Sequence, residues 1–328
     1  MSKPKVVIAY PVPEEVIEFV REHCDCKVLD FSKPVKLETI KEDISDAEGM
    51  VILGLKVDDQ LMDHAPKLKV ASNITVGYNN CDVEAMKKRD VICTHSPGVL
   101  DETVADFVMG LLVSAARRLP ELDTFTKEGR WTKGDMSELF GRDVHHSTLG
   151  LIGMGRIGEA VARRAKFGFD MDVVYYNRSR KETVEKELGI TYKPMDELLA
   201  QADFLVTLTP LTPETTHLIG ERELSLMKEG SYVINASRGP VIDEEALIKA
   251  LQSGKLAGAG LDVFEKEPLP KDSPLLSMKN VVTTPHIAAG THQTMANLAW
   301  TAARSMVEVL QTGTSKNIVP EMRESVNK

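Results

Sequence analysis

Short apolar runs alternate with amphipathic stretches along nearly the whole chain. Among the first hundred positions, Val6–Tyr10, Lys27–Leu29, Met50–Leu53, Leu68–Ala71 and Val91–Cys93 read as strands. Pro13 to about His23 places Val16, Phe19 and Val20 on one helical face, and Leu37–Ile44 and Asp82–Lys88 read as further helices. Strands alternating with helices predict a parallel sheet covered on both faces. Pro97–Gly98 punctuates the end of this unit. A long helix from Asp101 to about Ala116, rich in Val, Ala, Met and Leu, is apolar enough for burial, in part against another subunit. Residues 120–147 are more polar and predict irregular structure. The alternation resumes near Thr148. Strands are predicted at Phe204–Leu208, Tyr232–Asn235, Gly260–Val263 and Val281–Thr283, with helices at Met195–Ala200, Glu221–Leu226 and Glu244–Gln252. A final helix runs from Thr291 to about Gln311. The predicted fold class is α/β, with two doubly wound parallel-sheet domains and no solenoid repeat.

Residues 148–181 sharpen this picture. An apolar run (Leu149, Leu151, Ile152) leads into Gly153, Met154, Gly155, Arg156, Ile157 and Gly158, which spell GxGxxG. In that motif the first glycine permits the tight turn, the second lets backbone approach a pyrophosphate, and the third lets the helix pack on the strand. The following helix, with Ile157, Val161, Ala162 and Ala165, aims its N-terminal N–H groups at the phosphates. A lone GxGxxG also fits an ordinary glycine-rich turn. Here the strand before it, the helix after it and the strand Val173–Tyr176 all match a Rossmann unit.

The tip of that second strand bears on the choice of cofactor. An NAD site carries Asp or Glu about 20 residues beyond the glycines, for the ribose 2′-hydroxyl. This chain has Asn177, Arg178, Ser179, Arg180 and Lys181 there, with no carboxylate. A solvated basic turn is the plain alternative. Guanidinium groups and a serine suit a 2′-phosphate, so NADP(H) is the preferred reading, with NAD(H) possible.

Composition narrows the partners. The 328 residues suffice for two domains with substantial cores. A hydrophobic content of 42% and a charged content of 27% are those of a soluble globular protein. The net charge of −9 argues against a nucleic-acid partner, which makes the basic tip a local exception. No apolar run reaches the roughly 18 residues of a membrane span. The N-terminus leads directly into a strand and lacks a signal-peptide core. Cys24, Cys26, Cys81 and Cys93 lack zinc spacing and read as reduced structural thiols of a cytoplasmic protein that binds no metal.

Ligands of open α/β sheets sit beyond the carboxyl ends of the strands. Three polar groups are predicted there: Arg238 after Tyr232–Asn235, Glu267 after Gly260–Val263, and His286 after Val281–Thr283. Arginine clamps a carboxylate, and histidine donates protons near neutral pH. A carboxylate bonded to the far imidazole nitrogen orients the ring and favours its protonated form. Each residue alone has a mundane reading: Arg238 as a surface charge, Glu267 as one of a solvated loop with Glu265 and Lys266, His286 as structural. Together they suit reduction of a 2-oxo acid, with hydride from a nicotinamide and a proton from His286. The other seven histidines read as structural or solvated.

The segments TVGYNNCDVEAMKKRDVICTHSPGV, HHSTLGLIGMGRIG, INASRGPVIDEEAL, AGAGLDVFEKEPL and TTPHIA together resemble the D-isomer-specific 2-hydroxyacid dehydrogenases, over essentially the whole chain. RRLPELD, YNRSR and GLDVFEKEPL are similar to the glyoxylate/hydroxypyruvate and 2-ketogluconate reductases within that family. The resemblance makes Arg238 the substrate-binding arginine, Glu267 the partner of the acid/base His286, and Glu265 a bystander. It puts backbone N–H groups of Val76 and Gly77 on the substrate carboxylate, and Thr103, Ala236, Arg238, Asp262 and His286 near the nicotinamide and its ribose. Ser237 and Ala288 are counted with them, and Leu208, Thr209 and Pro210 with the adenosine side. The family's frequent PHIGSAT is PHIAAGT here, which puts contacts at 288–290 in doubt.

The resemblance also implies a substrate-binding domain of residues 1–98 plus 287–328, a cofactor domain of residues 99–286, a cleft between them holding the site, and a homodimer through 101–147. Trp131 is a candidate wall of a partner's pocket, or a packed arm residue. The expected function is NADPH-dependent reduction of glyoxylate, hydroxypyruvate or 2-ketogluconate. The alternatives are an NAD-linked D-lactate or phosphoglycerate type and a nicotinamide-sensing corepressor.

Overall fold

The computed structural model describes residues 3–32 and 34–326. The chain divides into two compact units, residues 1–100 with 290–328 and residues 101–289.

The first unit runs β1 (Lys5–Ile8), α1 (Glu14–His23), β2 (Asp25–Val28), α2 (Leu37–Ile40), β3 (Gly49–Ile52), α3 (Asp59–His64), β4 (Val70–Asn73), α4 (Val83–Lys88) and β5 (Ile92–Thr94). Its five strands are parallel in the order β2-β1-β3-β4-β5. Every position of β3 and β4 is buried, as a parallel sheet covered on both faces requires. Met50, Ile52, Leu61, Met62 and Met86 form the heart of this core. Short polar caps start the helices: Asp58 accepts from the Leu61 amide at 3.1 Å and Asp82 from the Ala85 amide at 3.0 Å. The α3 helix, with a single short turn of apolar residues, was not predicted.

The second unit comprises α5 (Asp101–Ala116), α6 (Leu119–Lys127), β6 (Thr148–Ile152), α7 (Arg156–Gly168), β7 (Asp172–Tyr176), α8 (Glu182–Leu188), β8 (Thr191–Tyr192), α9 (Met195–Gln201), β9 (Phe204–Thr207), α10 (Glu221–Leu226), β10 (Ser231–Asn235), α11 (Glu244–Gln252), β11 (Leu256–Leu261) and β12 (Val281–Thr283). Its sheet is parallel in the order β12-β11-β10-β9-β6-β7-β8. From β6 the chain winds out to β8, then returns to β9 on the other side of β6 and winds out to β12. The β6/β9 boundary is therefore the topological switch point, where such sheets bind ligands. Helix α5 lies against α7 and against β10, β11 and β12. Its Val104, Ala105, Val108, Leu111 and Leu112 are buried in that contact layer.

Two expectations change. Residues 119–127 are helical rather than irregular, although α6 buries no side chain. Strand β11 begins at Leu256 and ends at Leu261, so Asp262 and Val263 lie beyond the strand. The last helix, α12 (His292–Thr312), belongs to the first unit and lies against β3 and β4. It comes so close that a Cβ on Gly49 would stand 3.0 Å from Met306. Among the described residues no helix is long and apolar enough to cross a membrane.

Candidate active site

The glycine turn joins three loops. Gly153 has φ +103°, which a side chain would resist, and its N–H donates to Tyr176 O at 3.0 Å. A Cβ there would stand 2.8 Å from the Leu208 carbonyl, and one on Gly158 would collide with Gly153 O. The Leu208 amide in turn donates to Ile152 O at 2.8 Å. The ends of β6, β7 and β9 thus meet at the switch point. Gly155 precedes α7 in an extended conformation, with open space where a Cβ would be, and no side chain caps this helix of 13 residues. Its first-turn N–H groups are therefore left for a ligand, as a pyrophosphate requires. Arg156 is held by Asp101 at 2.9 Å, and Ile157 is half-buried. On the β9 loop, the Thr209 hydroxyl is buried without a hydrogen-bond partner among the described residues, beside half-buried Leu208 and exposed Pro210. An uncapped helix, a close backbone approach and an orphaned hydroxyl fit a dinucleotide.

The basic tip is less uniform than its sequence. Asn177 Oδ1 accepts from the Met154 amide at 3.2 Å, and its Nδ2 donates to Ser179 O at 2.8 Å. Arg180 donates Nε–H and Nη2–H, one edge of its guanidinium, to the two oxygens of Glu185 at 2.8 Å each. Arg178 and Ser179 are exposed, and Arg178 forms no ion pair among the described residues.

At the ends of β10, β11 and β12, neighbours in the sheet, the predicted trio is embedded in a tight network. Glu267 Oε2 accepts from His286 Nδ1 at 2.7 Å, and its Oε1 accepts from the Phe264 amide at 3.0 Å. The glutamate is thereby aimed, and the ring is held through Nδ1, with Nε2 on its other side. Burial pulls the Arg238 guanidinium below its ordinary pKa, against the opposing pull of Glu267. His286 sits at φ +52°, a left-handed conformation that costs a non-glycine residue about 1–3 kcal/mol. Asp262 enforces it. Its backbone oxygen accepts from the His286 amide at 2.8 Å, and its carboxylate takes Thr284 Oγ1 at 2.7 Å and the Ile287 and Ala288 amides at 2.9 Å each. Asp262 is fully buried with its oxygens engaged in this way.

Sequence reasoning did not single out Asn235. Its Oδ1 accepts from Thr207 Oγ1 at 2.9 Å and from the Ser237 amide and hydroxyl, while its Nδ2 donates to Arg238 O at 3.1 Å. Asn235 thus shapes the Ala236–Arg238 turn. Its only sequence signal was its place as the last strand residue. Glu265 faces away from the acid/base pair: its Oε1 accepts from His217 Nε2 at 2.8 Å and from the Glu244 amide at 3.2 Å. Thr103 lies half-buried on the first turn of α5.

In the first unit, the loop after β4 is braced from three directions. His95 Nδ1 donates to Val76 O at 2.9 Å, Thr75 Oγ1 to Gly77 O at 2.6 Å, and the Tyr78 hydroxyl to Glu321 at 2.9 Å. Burial, then Glu321, pushes the Tyr78 phenol above its ordinary pKa. His95 therefore does more than its sequence context indicated. Among the described residues no cluster of His, Cys, Asp and Glu could hold a metal ion, and all four cysteines are free thiols.

Comparison with known proteins agrees with this geometry. Residues 109–288 match the D-isomer specific 2-hydroxyacid dehydrogenase, NAD binding domain family. The chain is 44% identical to glyoxylate/hydroxypyruvate reductase B of Escherichia fergusonii, over 97% of this chain and 98% of that protein. It superposes on the NADPH-dependent glyoxylate/hydroxypyruvate reductase of Sinorhizobium meliloti, solved with NADP and malonate, with a TM-score of 0.86 at 32% identity, covering 98% of each chain. It also superposes on D-lactate dehydrogenase of Aquifex aeolicus, solved with NAD and lactic acid, with a TM-score of 0.82 at 31% identity, covering 96% of this chain and 98% of that one. The chain belongs to the D-isomer-specific 2-hydroxyacid dehydrogenases and is an NAD(P)-dependent oxidoreductase of that family.

Proposed function

We propose that this protein reduces small 2-oxo acids to D-2-hydroxy acids with NADPH, glyoxylate and hydroxypyruvate foremost and 2-ketogluconate as a further candidate. The observation that carries this reading is the 2.7 Å hydrogen bond between Glu267 and His286, one strand over from Arg238. The names of the Escherichia fergusonii and Sinorhizobium meliloti relatives support the substrate class, and the latter's NADP supports the cofactor.

In this reading Gly153–Gly158 and the first turn of α7 hold the pyrophosphate, and Arg178 and Ser179 meet the 2′-phosphate. Thr103, Ala236, Ser237, Asp262 and Ala288 frame the nicotinamide side, Asp262 and Ser237 chiefly by fixing backbone. The cofactor, when bound, supplies hydride to the carbonyl carbon. Arg238 clamps the substrate carboxylate and polarises the adjacent carbonyl, and Val76 and Gly77 offer the carboxylate their N–H groups. His286 Nε2 gives its proton to the carbonyl oxygen, while Glu267 keeps Nδ1–H in place and the ring oriented. The proposal includes a cytoplasmic homodimer with no nucleic-acid or membrane partner. Its support is an exposed apolar cluster of Leu119, Trp131, Met136 and Phe140 beside a hollow of about 460 Å³ that the last three line.

The NAD-linked D-lactate reading has the Aquifex aeolicus relative in its favour. The lack of a carboxylate at 177–181 weighs against it. Steady-state assays of glyoxylate, hydroxypyruvate, 2-ketogluconate, pyruvate and phosphohydroxypyruvate with each cofactor decide. Preferred turnover of the first two with NADPH is expected, and Arg178→Ala should cost tenfold to a hundredfold, roughly, in NADPH use alone. Turnover of none of the five acids, or a clear NADH preference, overturns the proposal.

A further inference from the structure

The phenol of Tyr175 is out of place for a core residue. Its side chain is fully buried in β7, yet its hydroxyl serves the exposed tip. It donates to Glu185 Oε1 at 2.7 Å and accepts from the Lys181 amide, also at 2.7 Å. Glu185, on α8, uses the same oxygen and its neighbour to grip Arg180 with two bonds of 2.8 Å. The Arg180 guanidinium lies 5.9 Å from the Tyr192 ring centre, and that ring meets Tyr175 edge-on at 5.5 Å. At its other end the tip is tied to the glycine turn through Asn177. Both ends of 177–181 are thus fixed, and the exposed pair Arg178–Ser179 spans the gap between them.

We infer that Tyr175, Glu185 and Arg180 form a clasp that shapes this loop for a 2′-phosphate, so that Arg180 is a positioning residue and not a phosphate ligand. The inference rests on the NADPH reading above and deepens it. Of the two arginines that the sequence offered to the phosphate, Arg180 has its charge already matched and its Nε/Nη2 edge engaged by Glu185. A phosphate on Arg180 would meet a guanidinium already neutralised, with the Glu185 carboxylate beside it. A loop fixed before the cofactor arrives loses less conformational freedom on binding.

The two roles for Arg180 predict opposite signs for one substitution. If Arg180 were a phosphate ligand held back by Glu185, Glu185→Gln would release it and tighten NADPH. With the clasp, Glu185→Gln, Arg180→Ala and Tyr175→Phe each weaken NADPH about threefold to tenfold, the range of a single hydrogen bond. The double variant of Glu185→Gln with Arg180→Ala is then no worse than either single one, because both remove the same device.

Dissociation constants for NADPH, NADH and 2′-AMP, measured by titration without substrate, read this directly. The NADH constant, the thermal midpoint and kcat at saturating NADPH stay within about twofold, or a few degrees, for all three. Tighter NADPH binding in Glu185→Gln overturns the clasp, as does an equal loss of NADH affinity in Tyr175→Phe. Arg178→Ala run in parallel separates the two ideas. A collapsed NADPH preference there with unchanged affinity in the clasp variants defeats the clasp alone. An unchanged preference in Arg178→Ala defeats the cofactor reading.

Discussion

The two polar ends of the seven-stranded sheet are built on different plans. At β10–β12, Asn235, Asp262 and Glu267 supply the donors and acceptors that fix the Arg238 turn, the His286 backbone and the His286 ring before any ligand arrives. At the tip of β7, the flanks are fixed but Arg178 and Ser179 stand in water. A group that moves a proton must be oriented when the transition state forms, so its reorganisation has to be settled by folding. A group that recognises a fixed charge can exchange water for phosphate on binding. In the proposed reading, orientation is built in where the proton moves and left open where the permanent charge is read.

His286→Gln gives the hardest test of the oriented end and should have the largest effect. It keeps a polar side chain and removes the acid, so kcat for reduction should fall by roughly 10²–10⁴ while NADPH affinity holds. A fall under about fivefold would deny His286 the proton-donor role.

Arg238→Lys comes next. The charge remains and the fork is lost, so kcat and KM for the 2-oxo acid should both worsen, by about tenfold or more in kcat/KM. Near-normal kcat/KM for every acid of the panel would break the proposed double role of the guanidinium.

The pair Glu267→Gln and Glu265→Gln sharpens the comparison within one loop. Glu267→Gln removes the carboxylate that holds His286 Nδ1–H, so kcat for the 2-oxo acid falls while NADPH affinity holds. Glu265→Gln should leave kcat unmoved, because its carboxylate serves His217 and the start of α11. A fall in kcat in the second variant and not the first would reverse the assignment.

Much of this was legible in the chain, for reasons that can be named. Helices α10 and α11 carried their own boundaries, as with Asp243 capping the Ala246 amide at 3.0 Å. The trio at the strand ends was visible because each residue follows an apolar run. Strand β11 was started late, at Gly260, because the small residues ahead of it form no strong apolar run, and the packing of Gly258 and Gly260 does not show in the sequence. In the fold they leave room for Tyr232 and Leu111, which a Cβ would meet at 2.9 Å and 2.7 Å. Helix α6 gave no signal because it buries nothing, and α8 because its single turn of apolar spacing is too short to register. Missing α8 hid Glu185, which made Arg180 look as available as Arg178. Asn235 was hidden in a different way, and Asp262 was named only through the resemblance: what both do depends on backbone groups brought near only by strand pairing.

Gly239 sets a limit on how such a protein can be changed. It directly follows Arg238, and a Cβ there would run into the Phe264 carbonyl, on the loop that carries Glu267. Any missense change at a glycine codon adds at least that carbon. Position 239 is therefore closed to inheritance by substitution, and the arginine loop and the glutamate loop are passed on as a joined pair. On the proposed function, variation in substrate would then fall on residues other than Gly239, with the contact between these two loops carried forward.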